Sequence, residues 1–242
     1  MRIATLYDIH GNLPALEAVL REVETESVDR LIVGGDALLG PMPRETLECL
    51  RGLDVPIAYI RGNTEHTVLR QMDDLTKGRE KIRWVAQQLH PDYEGEIRSW
   101  PATVSVQVSE LGEVLFCHAT PRSDTEVFTS RTSSDRLLPL FEELNVPLVV
   151  CGHTHMQFDR VIGDVRVVNA GSVGMSFEGP GAYWLLLGPD IELRRTSYDL
   201  TGAAERIRCT EYPEAQPFAA NNVLETPSKA EMLEVFARSE VG

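Results

Sequence analysis

Carboxylate, imidazole and amide side chains recur directly after short apolar segments of this sequence. The set comprises Asp8, His10, Asp36, Asn63, His118, His153 and His155. Such a mixture of oxygen and nitrogen ligands holds Mn, Fe, Zn or Ni, whereas an all-oxygen set favours Mg or Ca. A carboxylate such as Asp36 can bridge two cations about 3.5–4 Å apart, the spacing used for phosphoryl transfer. The pattern therefore indicates a metal site suited to phosphate chemistry.

Strand–loop–helix units in the first part of the chain would carry the earliest of these residues. Strands are predicted at 2–7, 30–33 and 56–60, with a helix of leucine and valine periodicity after the first and a helix opened by Pro43 after the second. Such units build a parallel sheet with crossover helices. Because ligands bind beyond the carboxyl ends of strands in open α/β sheets, we expect the separate loops to converge there.

The chain beyond Pro101 is richer in β-structure. Further strands are predicted at 104–108, 114–117, 147–151, 158–162, 165–169, 182–187 and 191–196. Gly163-Asp164 reads as the turn of a hairpin. His118, His153 and His155 again follow predicted strands. We therefore expect an α/β fold in which a second sheet half contributes its own metal ligands.

A single domain over residues 1–242 is the predicted organisation. The polar segment 71–100 is expected to be a helical side element, and 201–242 a C-terminal helical extension. Within that extension the chain is predicted to be helical from 201, loop-like through Pro213 and Pro227, and helical again over 228–238. A further helix is predicted over 136–144.

Five short blocks occur in an order typical of one enzyme family. They are Asp8-Ile9-His10, Gly35-Asp36, Gly62-Asn63, His118 and Gly152-His153-Thr154-His155. With these blocks the sequence resembles the calcineurin-like metallophosphoesterases, most closely the small bacterial and archaeal phosphodiesterase branch. The resemblance implies a two-sheet mixed β-sandwich flanked by helices. It implies that Asp8, His10, Asp36 and His155 hold one metal, and that Asp36, Asn63, His118 and His153 hold another.

The function implied by the resemblance is dinuclear-metal-dependent hydrolysis of phosphate esters, with phosphodiesters favoured over monoesters. In that expectation a metal-bound hydroxide attacks phosphorus in line, and Asp36, Asn63 and His118 form the catalytic set. Mn is the expected metal, and Ni, Fe, Zn and Mg remain open. The alternatives are a metal-binding scaffold of the same fold that acts through a protein partner, and a dinuclear hydrolase of another bond such as an amide.

One position departs from the family pattern in a way that affects the chemistry. Many members carry histidine directly after the Gly-Asn pair, where it is credited with protonating the leaving group, but this chain has Thr64. Threonine is a poor acid near neutral pH, so substrates with good leaving groups are expected. His66 is a weaker candidate for the acid, and Arg61 and Arg122 are candidates for gripping a substrate phosphate.

Composition limits the partners and the compartment. A net charge of −14 argues against strong nucleic-acid binding and against an anionic membrane surface, but not against a small phosphoester substrate. No apolar stretch approaches the ~20 residues of a membrane span, and the start lacks signal-peptide features, so we expect a cytoplasmic protein. The widely separated cysteines are expected to be buried, reduced thiols. The apolar C-terminal helix would either cover the core or join two subunits in a homo-oligomer.

Overall fold

Two five-stranded sheets form the centre of the structure, a computed structural model that describes residues 1–241. The strands are β1 (Ile3–Leu6), β2 (Arg30–Val33), β3 (Ile57–Tyr59), β4 (Thr103–Val108), β5 (Gly112–Cys117), β6 (Leu148–Cys151), β7 (Phe158–Ile162), β8 (Val165–Asn169), β9 (Ala182–Leu187) and β10 (Ile191–Thr196). The helices are α1 (Leu13–Thr25), α2 (Pro43–Arg51), α3 (Asn63–Met72), α4 (Glu80–Leu89), α5 (Glu94–Ser99), α6 (Ser134–Phe141), α7 (Leu200–Arg208), α8 (Ala215–Phe218) and α9 (Lys229–Phe236), with a π-helix at Ala219–Leu224.

Both sheets mix parallel and antiparallel strands. The first has the order β10-β9-β1-β2-β3, in which β1, β2 and β3 are parallel and β9 runs antiparallel to β1 and β10. The second has the order β4-β5-β6-β8-β7, with parallel β5, β6 and β8 bordered by antiparallel β4 and β7. This confirms the predicted fold of two mixed sheets flanked by helices.

Strand β6 is apolar throughout because it is buried on both faces. Leu148 and Val150 point into the cluster shared by the two sheets, whereas Val149 and Cys151 pack with Phe141 of α6 on the outer face. Each fully buried aliphatic side chain of this kind contributes about 1.5–3 kcal/mol to folding. Alternate side chains of β6 thus pack against the first sheet on one face and against α6 on the other.

Helix α1 begins where the loop after β1 ends, and its cap ties the two together. Asn12 precedes the helix, and its side-chain oxygen accepts a hydrogen bond from the backbone N–H of Ala15 at 3.3 Å. The same side chain donates to the carbonyl of Gly174 at 3.0 Å. Asn12 therefore links the start of α1 to the segment that follows β8.

The structure corrects the sequence analysis near the C-terminus. The stretch expected to be loop-like contains α8 and the π-helix, because Phe218, Ala219 and Val223 are buried in the helical side of the core. Helix α6 also begins and ends earlier than the predicted 136–144. Within the described residues, no helix has both the length and the apolar character needed to cross a membrane.

The cysteines are all free thiols, but they are not all buried as expected. Cys117 and Cys151 are buried in strands of the second sheet, whereas Cys49 is half-buried and Cys209 is exposed at the end of α7. Periodicity indicated the apolar strand positions correctly. It gave no information on the burial of Cys209, which lies directly after a helix.

Candidate metal centre

The residues proposed as metal ligands all lie at the carboxyl ends of parallel strands. Asp8 and His10 follow β1, Asp36 follows β2, Asn63 follows β3, His118 follows β5, and His153 and His155 follow β6. The first three strands belong to one sheet and the other two to the second sheet. Because these strand ends meet at one edge of the sandwich, residues more than a hundred positions apart come into contact.

One group of ligand-type residues consists of Asp8, His10 and His155, all buried. Asp8 Oδ1 lies 3.2 Å from His155 Nε2 and 3.9 Å from His10 Nε2. The two Nε2 atoms lie 3.3 Å apart. Three donor atoms on three side chains therefore converge on one small volume.

The second group consists of Asp36, His118 and His153. Asp36 Oδ1 lies 3.5 Å from His118 Nε2, and Asn63 Oδ1 lies 3.1 Å from the same nitrogen. The rings of His118 and His153 are 5.1 Å apart. Asp36 Oδ2 lies 3.9 Å from His10 Nε2, so the two oxygens of Asp36 face the two groups.

Three of the histidines bind the backbone through Nδ1, so their Nε2 atoms face the other ligand-type residues. Nδ1 of His10, His118 and His155 donates to the backbone carbonyls of Leu39, Gly34 and Met175 at 3.3, 3.0 and 2.7 Å. Donation from Nδ1 leaves the Nε2 lone pair available, the usual arrangement of metal-ligating histidine. Asp8 Oδ1 is also buried without a hydrogen-bond partner among the described residues. These residues fit divalent cations, which would separate the facing nitrogens and satisfy that oxygen.

Burial and mutual charge shift the protonation of the site. Burial and, to a smaller extent, the neighbouring His118 together lower the pKa of His153 to about 4. Burial also lowers the pKa of His10, with His155 adding to the effect. Burial opposes ionisation of Asp8, yet the adjacent His155 holds the pKa of that carboxyl well below its ordinary value. Burial opposes protonation of His118 and His155, yet Asp36 raises the pKa of His118 and Asp8 raises that of His155, so a cation that binds here displaces protons from these imidazoles.

The backbone at the site is strained. Six residues other than glycine have positive φ in the described chain, and five of them are Asp8, His10, Asp36, His153 and His155, with φ between 49° and 68°. Left-handed backbone is uncommon for such residues and clusters at functional sites. It also turns successive side chains of one short loop toward a common point.

Two glycines of the sequence blocks are required by close packing against the carboxylates. A Cβ at Gly152 would lie 2.5 Å from Asp8 Oδ2, and a Cβ at Gly62 would overlap Asp36 Oδ1. Backbone N–H groups one or two residues after these glycines bind the same two carboxylate oxygens. His153 N–H donates to Asp8 Oδ2 at 2.8 Å, and Thr64 N–H donates to Asp36 Oδ1 at 2.8 Å.

Glu65 supports the site and was missed in the sequence analysis. The side chain is fully buried, and its Oε2 accepts from the N–H groups of Asp36 and Gly62 at 2.8 and 2.9 Å. Its Oε1 accepts from the N–H groups of Ala37 and Leu38 at 2.9 and 3.3 Å. Burial and the neighbouring Asp36, opposed by these hydrogen bonds and by His118, together raise the pKa of Glu65 to about 7. One carboxylate therefore joins the loop after β2 to the start of α3.

The segment Gly171-Ser172-Val173-Gly174 supports the opposite side of the site. The N–H groups of Val173 and Gly174 donate to the carbonyls of Tyr7 and Asp8, each at 3.0 Å, and Ser172 Oγ donates to the Asp8 carbonyl at 2.8 Å. These donors are occupied by the loop after β1, so the segment is a structural turn.

Two cavities flank the centre. The His118 cavity, about 230 Å³, is lined by His118 together with Arg61, His66 and Arg122. The His10 cavity, about 320 Å³, is lined by His10 together with residues of the C-terminal helices. The centre therefore has space on both sides, and the two spaces differ in chemistry.

The candidates for binding a substrate phosphate, Arg61 and Arg122, line the His118 cavity, and so does His66, a candidate for the general acid. Arg122 is held by Glu126, with its Nε 2.9 Å from Oε1. Arg61 Nε donates to His66 Nε2 at 3.1 Å, and that nitrogen lies 3.3 Å from Asp124 Oδ2. Thr64 is buried, and its hydroxyl has no hydrogen-bond partner among the described residues.

Comparison with known proteins identifies a family and a fold. A family model described as "Calcineurin-like phosphoesterase superfamily domain" matches residues 1–188. An uncharacterized protein of Methanocaldococcus jannaschii is 26% identical over 238 residues, which cover 88% of this chain and 94% of that protein.

Solved structures share the two-sheet architecture. A metallophosphoesterase from Sphaerobacter thermophilus is 24% identical, with a TM-score of 0.72 over 92% of this chain and 100% of that one. The structure of an archaeal phosphodiesterase is 18% identical, with a TM-score of 0.52 over 81% of this chain and 99% of that one. At these identities the likeness establishes the fold.

Proposed function

This chain belongs to the calcineurin-like phosphoesterase superfamily, and from that premise we propose that it hydrolyses phosphodiesters with two divalent cations bound side by side. The observation that carries the proposal is the position of Asp36. Its Oδ1 lies 3.5 Å from His118 Nε2 and its Oδ2 lies 3.9 Å from His10 Nε2. A carboxylate with one oxygen toward each group is suited to bridging two cations.

The ligand assignment in this proposal follows the two groups. Asp8, His10, Asp36 and His155 hold one cation, and Asp36, Asn63, His118 and His153 hold the other. The mixed oxygen and nitrogen set can hold Mn²⁺, Fe²⁺, Zn²⁺ or Ni²⁺, and Mn²⁺ is the cation that we propose. When bound, the cations supply Lewis-acid polarisation of the phosphoryl group and lower the pKa of water. The chain itself orients the ligands through the Nδ1 hydrogen bonds to backbone carbonyls.

Two features favour diesters with good leaving groups. A diester carries a substituent on each side of phosphorus, and the cavities beside His118 and His10 offer space for both. Thr64 stands where an acid would protonate a poor leaving group, and its hydroxyl cannot do so at neutral pH. His66 is engaged with Arg61 and Asp124 at the mouth of the His118 cavity. A diester whose leaving group departs unprotonated therefore suits this site best.

The test compares hydrolysis of bis-p-nitrophenyl phosphate with that of p-nitrophenyl phosphate. The protein is stripped of metal and reloaded with Mn²⁺, Ni²⁺, Zn²⁺ or Mg²⁺ before each assay. We expect metal-restored turnover that favours the diester. Asp36→Asn and His118→Ala should lose it, because the first removes the ligand shared by both cations and the second removes a ligand of one cation.

The matched control is His90→Ala, a histidine at the end of α4 that pairs with Glu94. This variant should keep the wild-type rate. If the protein binds two equivalents of metal and still turns over neither ester, the phosphodiesterase proposal fails. The alternative of a metal-binding scaffold with a protein partner would then be preferred.

A further inference from the structure

The His10 cavity opens directly from the metal centre. His10 itself forms part of its wall, and the rest comes from the loop after Asp36, from α4 and from the C-terminal helical region. A phosphorus atom held at the metal groups would therefore place one of its ester substituents in this cavity. The cavity volume of about 320 Å³ is in the range of small-molecule sites.

One part of the wall of the His10 cavity is apolar and partly aromatic. Leu39 and Met175 line the cavity together with His10, and Tyr212 and Phe218 contribute two rings that pack edge-to-face, with centroids 6.4 Å apart and planes 84° apart. Tyr212 is fixed from behind by the ring of Trp84, edge-on at 5.5 Å. Rings held in place by packing provide surfaces on which a flat heterocycle can stack at little entropic cost.

The polar groups of the cavity are side-chain amides and one ion pair. Asn221 and Asn222 lie in the π-helix, which Glu225 N–H closes by donating to the Ala220 carbonyl at 2.9 Å. Such π segments occur frequently at functional sites. Each amide offers a donor pair and an acceptor, the combination that reads the edge of a nucleobase. Lys81 Nζ and Glu214 Oε2, 2.8 Å apart, form the remaining charged part of the wall.

The cavity on the other side of the centre has a different character. The His118 cavity is lined by the cations Arg61 and Arg122 together with His66 and Asp124. A symmetrical ester with two alkyl groups would use neither set of walls well. An ester with an organic ring on one side and a hydrophilic or charged group on the other would match both.

On these grounds, and resting on the proposed phosphodiesterase function, we propose that the substrate is a nucleotide phosphoester whose base occupies the His10 cavity. The base stacks against the ring of Phe218, and the Asn222 amide hydrogen-bonds to its polar edge. A sugar or glycerol substituent would meet apolar rings with its hydroxyls, at a cost in lost hydration. A simple alkyl chain would leave the amides unused. A flat ring with a polar edge satisfies both kinds of wall.

Binding of nucleoside monophosphates to the Mn²⁺-loaded protein tests this proposal. Adenosine, guanosine, cytidine and uridine 5′-monophosphates are each compared with ribose 5-phosphate by calorimetry. Because stacking of one base on an aromatic side chain is a substantial interaction, at least one nucleotide should bind about tenfold or more tightly than ribose 5-phosphate. Equal binding of ribose 5-phosphate and all four nucleotides would overturn the assignment of the cavity.

Variants of the cavity residues test whether the preference for a nucleotide over ribose 5-phosphate arises in the His10 cavity. Asn222→Ala and Phe218→Leu should bring the affinity of the preferred nucleotide to within about threefold of that of ribose 5-phosphate. Asn145→Ala, an exposed asparagine distant in sequence from the cavity, should leave the preference intact. Far-ultraviolet circular dichroism confirms that each variant is folded. A preference that survives both cavity variants would place the base elsewhere and refute the proposal.

The proposal and the function on which it rests fail in different ways. If bis-p-nitrophenyl phosphate is hydrolysed but no nucleotide is preferred over ribose 5-phosphate, only the nucleobase assignment is lost. If no metal restores hydrolysis of that diester, the phosphodiesterase function is lost. The calorimetric comparison does not depend on turnover, so the two results are independent.

Discussion

Replacing Glu65 by glutamine should destabilise the protein and loosen the metal centre. The carboxylate accepts four backbone hydrogen bonds, two at each oxygen. Glutamine keeps the shape but places an NH₂ group against two of those N–H donors, so two bonds are lost. Since each bond to a charged group contributes about 1.5–3 kcal/mol, the free energy of unfolding should fall by about 3–6 kcal/mol. This loss is a large part of the total free energy of unfolding of a typical domain, which is roughly 5–15 kcal/mol.

Urea unfolding of the metal-free Glu65→Gln protein measures the stability loss, and titration with Mn²⁺ measures the effect on the centre. Because two of the four donors belong to Asp36 and Gly62, Mn²⁺ affinity should fall along with stability. The matched control is Glu110→Gln, at an exposed turn, which should change neither quantity. If Glu65→Gln unfolds within about 0.5 kcal/mol of the wild type and binds Mn²⁺ equally well, the positioning role is wrong.

Further predictions concern the catalytic acid, the packing of a glycine and the metals. Thr64→His should raise the rate on diesters with poor leaving groups relative to good ones, and an unchanged ratio would refute the missing-acid argument. Gly62→Ala should weaken Mn²⁺ binding about tenfold or more by displacing Asp36, whereas Gly95→Ala, which faces open space, should not. Mn²⁺ at a hundred times its Kd should stabilise the wild type by about 2.7 kcal/mol. A thermal melt would detect this gain, and it should shrink in Asp36→Asn.

The positions of the metal-ligand candidates could be predicted from sequence because they depend on local order. Each follows a short apolar strand, and parallel strands end at a common edge. The apolar periodicity of β1 and β6 was sufficient to place Asp8 and His153 at that edge. The family resemblance indicated the second sheet, and the match over residues 1–188 confirms the family.

The supporting residues could not be predicted, because their partners are distant in sequence or are backbone groups. Glu65 looks like an ordinary acidic residue in the first turn of a helix, and only the fold brings the N–H groups of residues 36–38 to it. Phe177, which stacks on His155 at 4.9 Å, has no sequence signal either. A glutamate two residues after the Gly-Asn pair is the one sequence feature that could have pointed to such a role.

The C-terminal helices show a second limit of sequence patterns. Pro213 and Pro227 indicated a loop, yet α8 and the π-helix form between them, since Phe218 and Val223 gain burial there. Tertiary packing thus outweighs the local turn signals. The same segment forms a wall of the His10 cavity, so the part of the chain that was hardest to predict carries the proposed substrate specificity.

Anomalous diffraction from Mn²⁺-soaked crystals tests the central claim most directly. The account predicts two peaks, one among Asp8, His10 and His155 and one among Asp36, His118 and His153, with Asp36 beside both. A single peak, or peaks away from these two groups, would contradict the two-cation centre on which the proposed phosphodiesterase function depends.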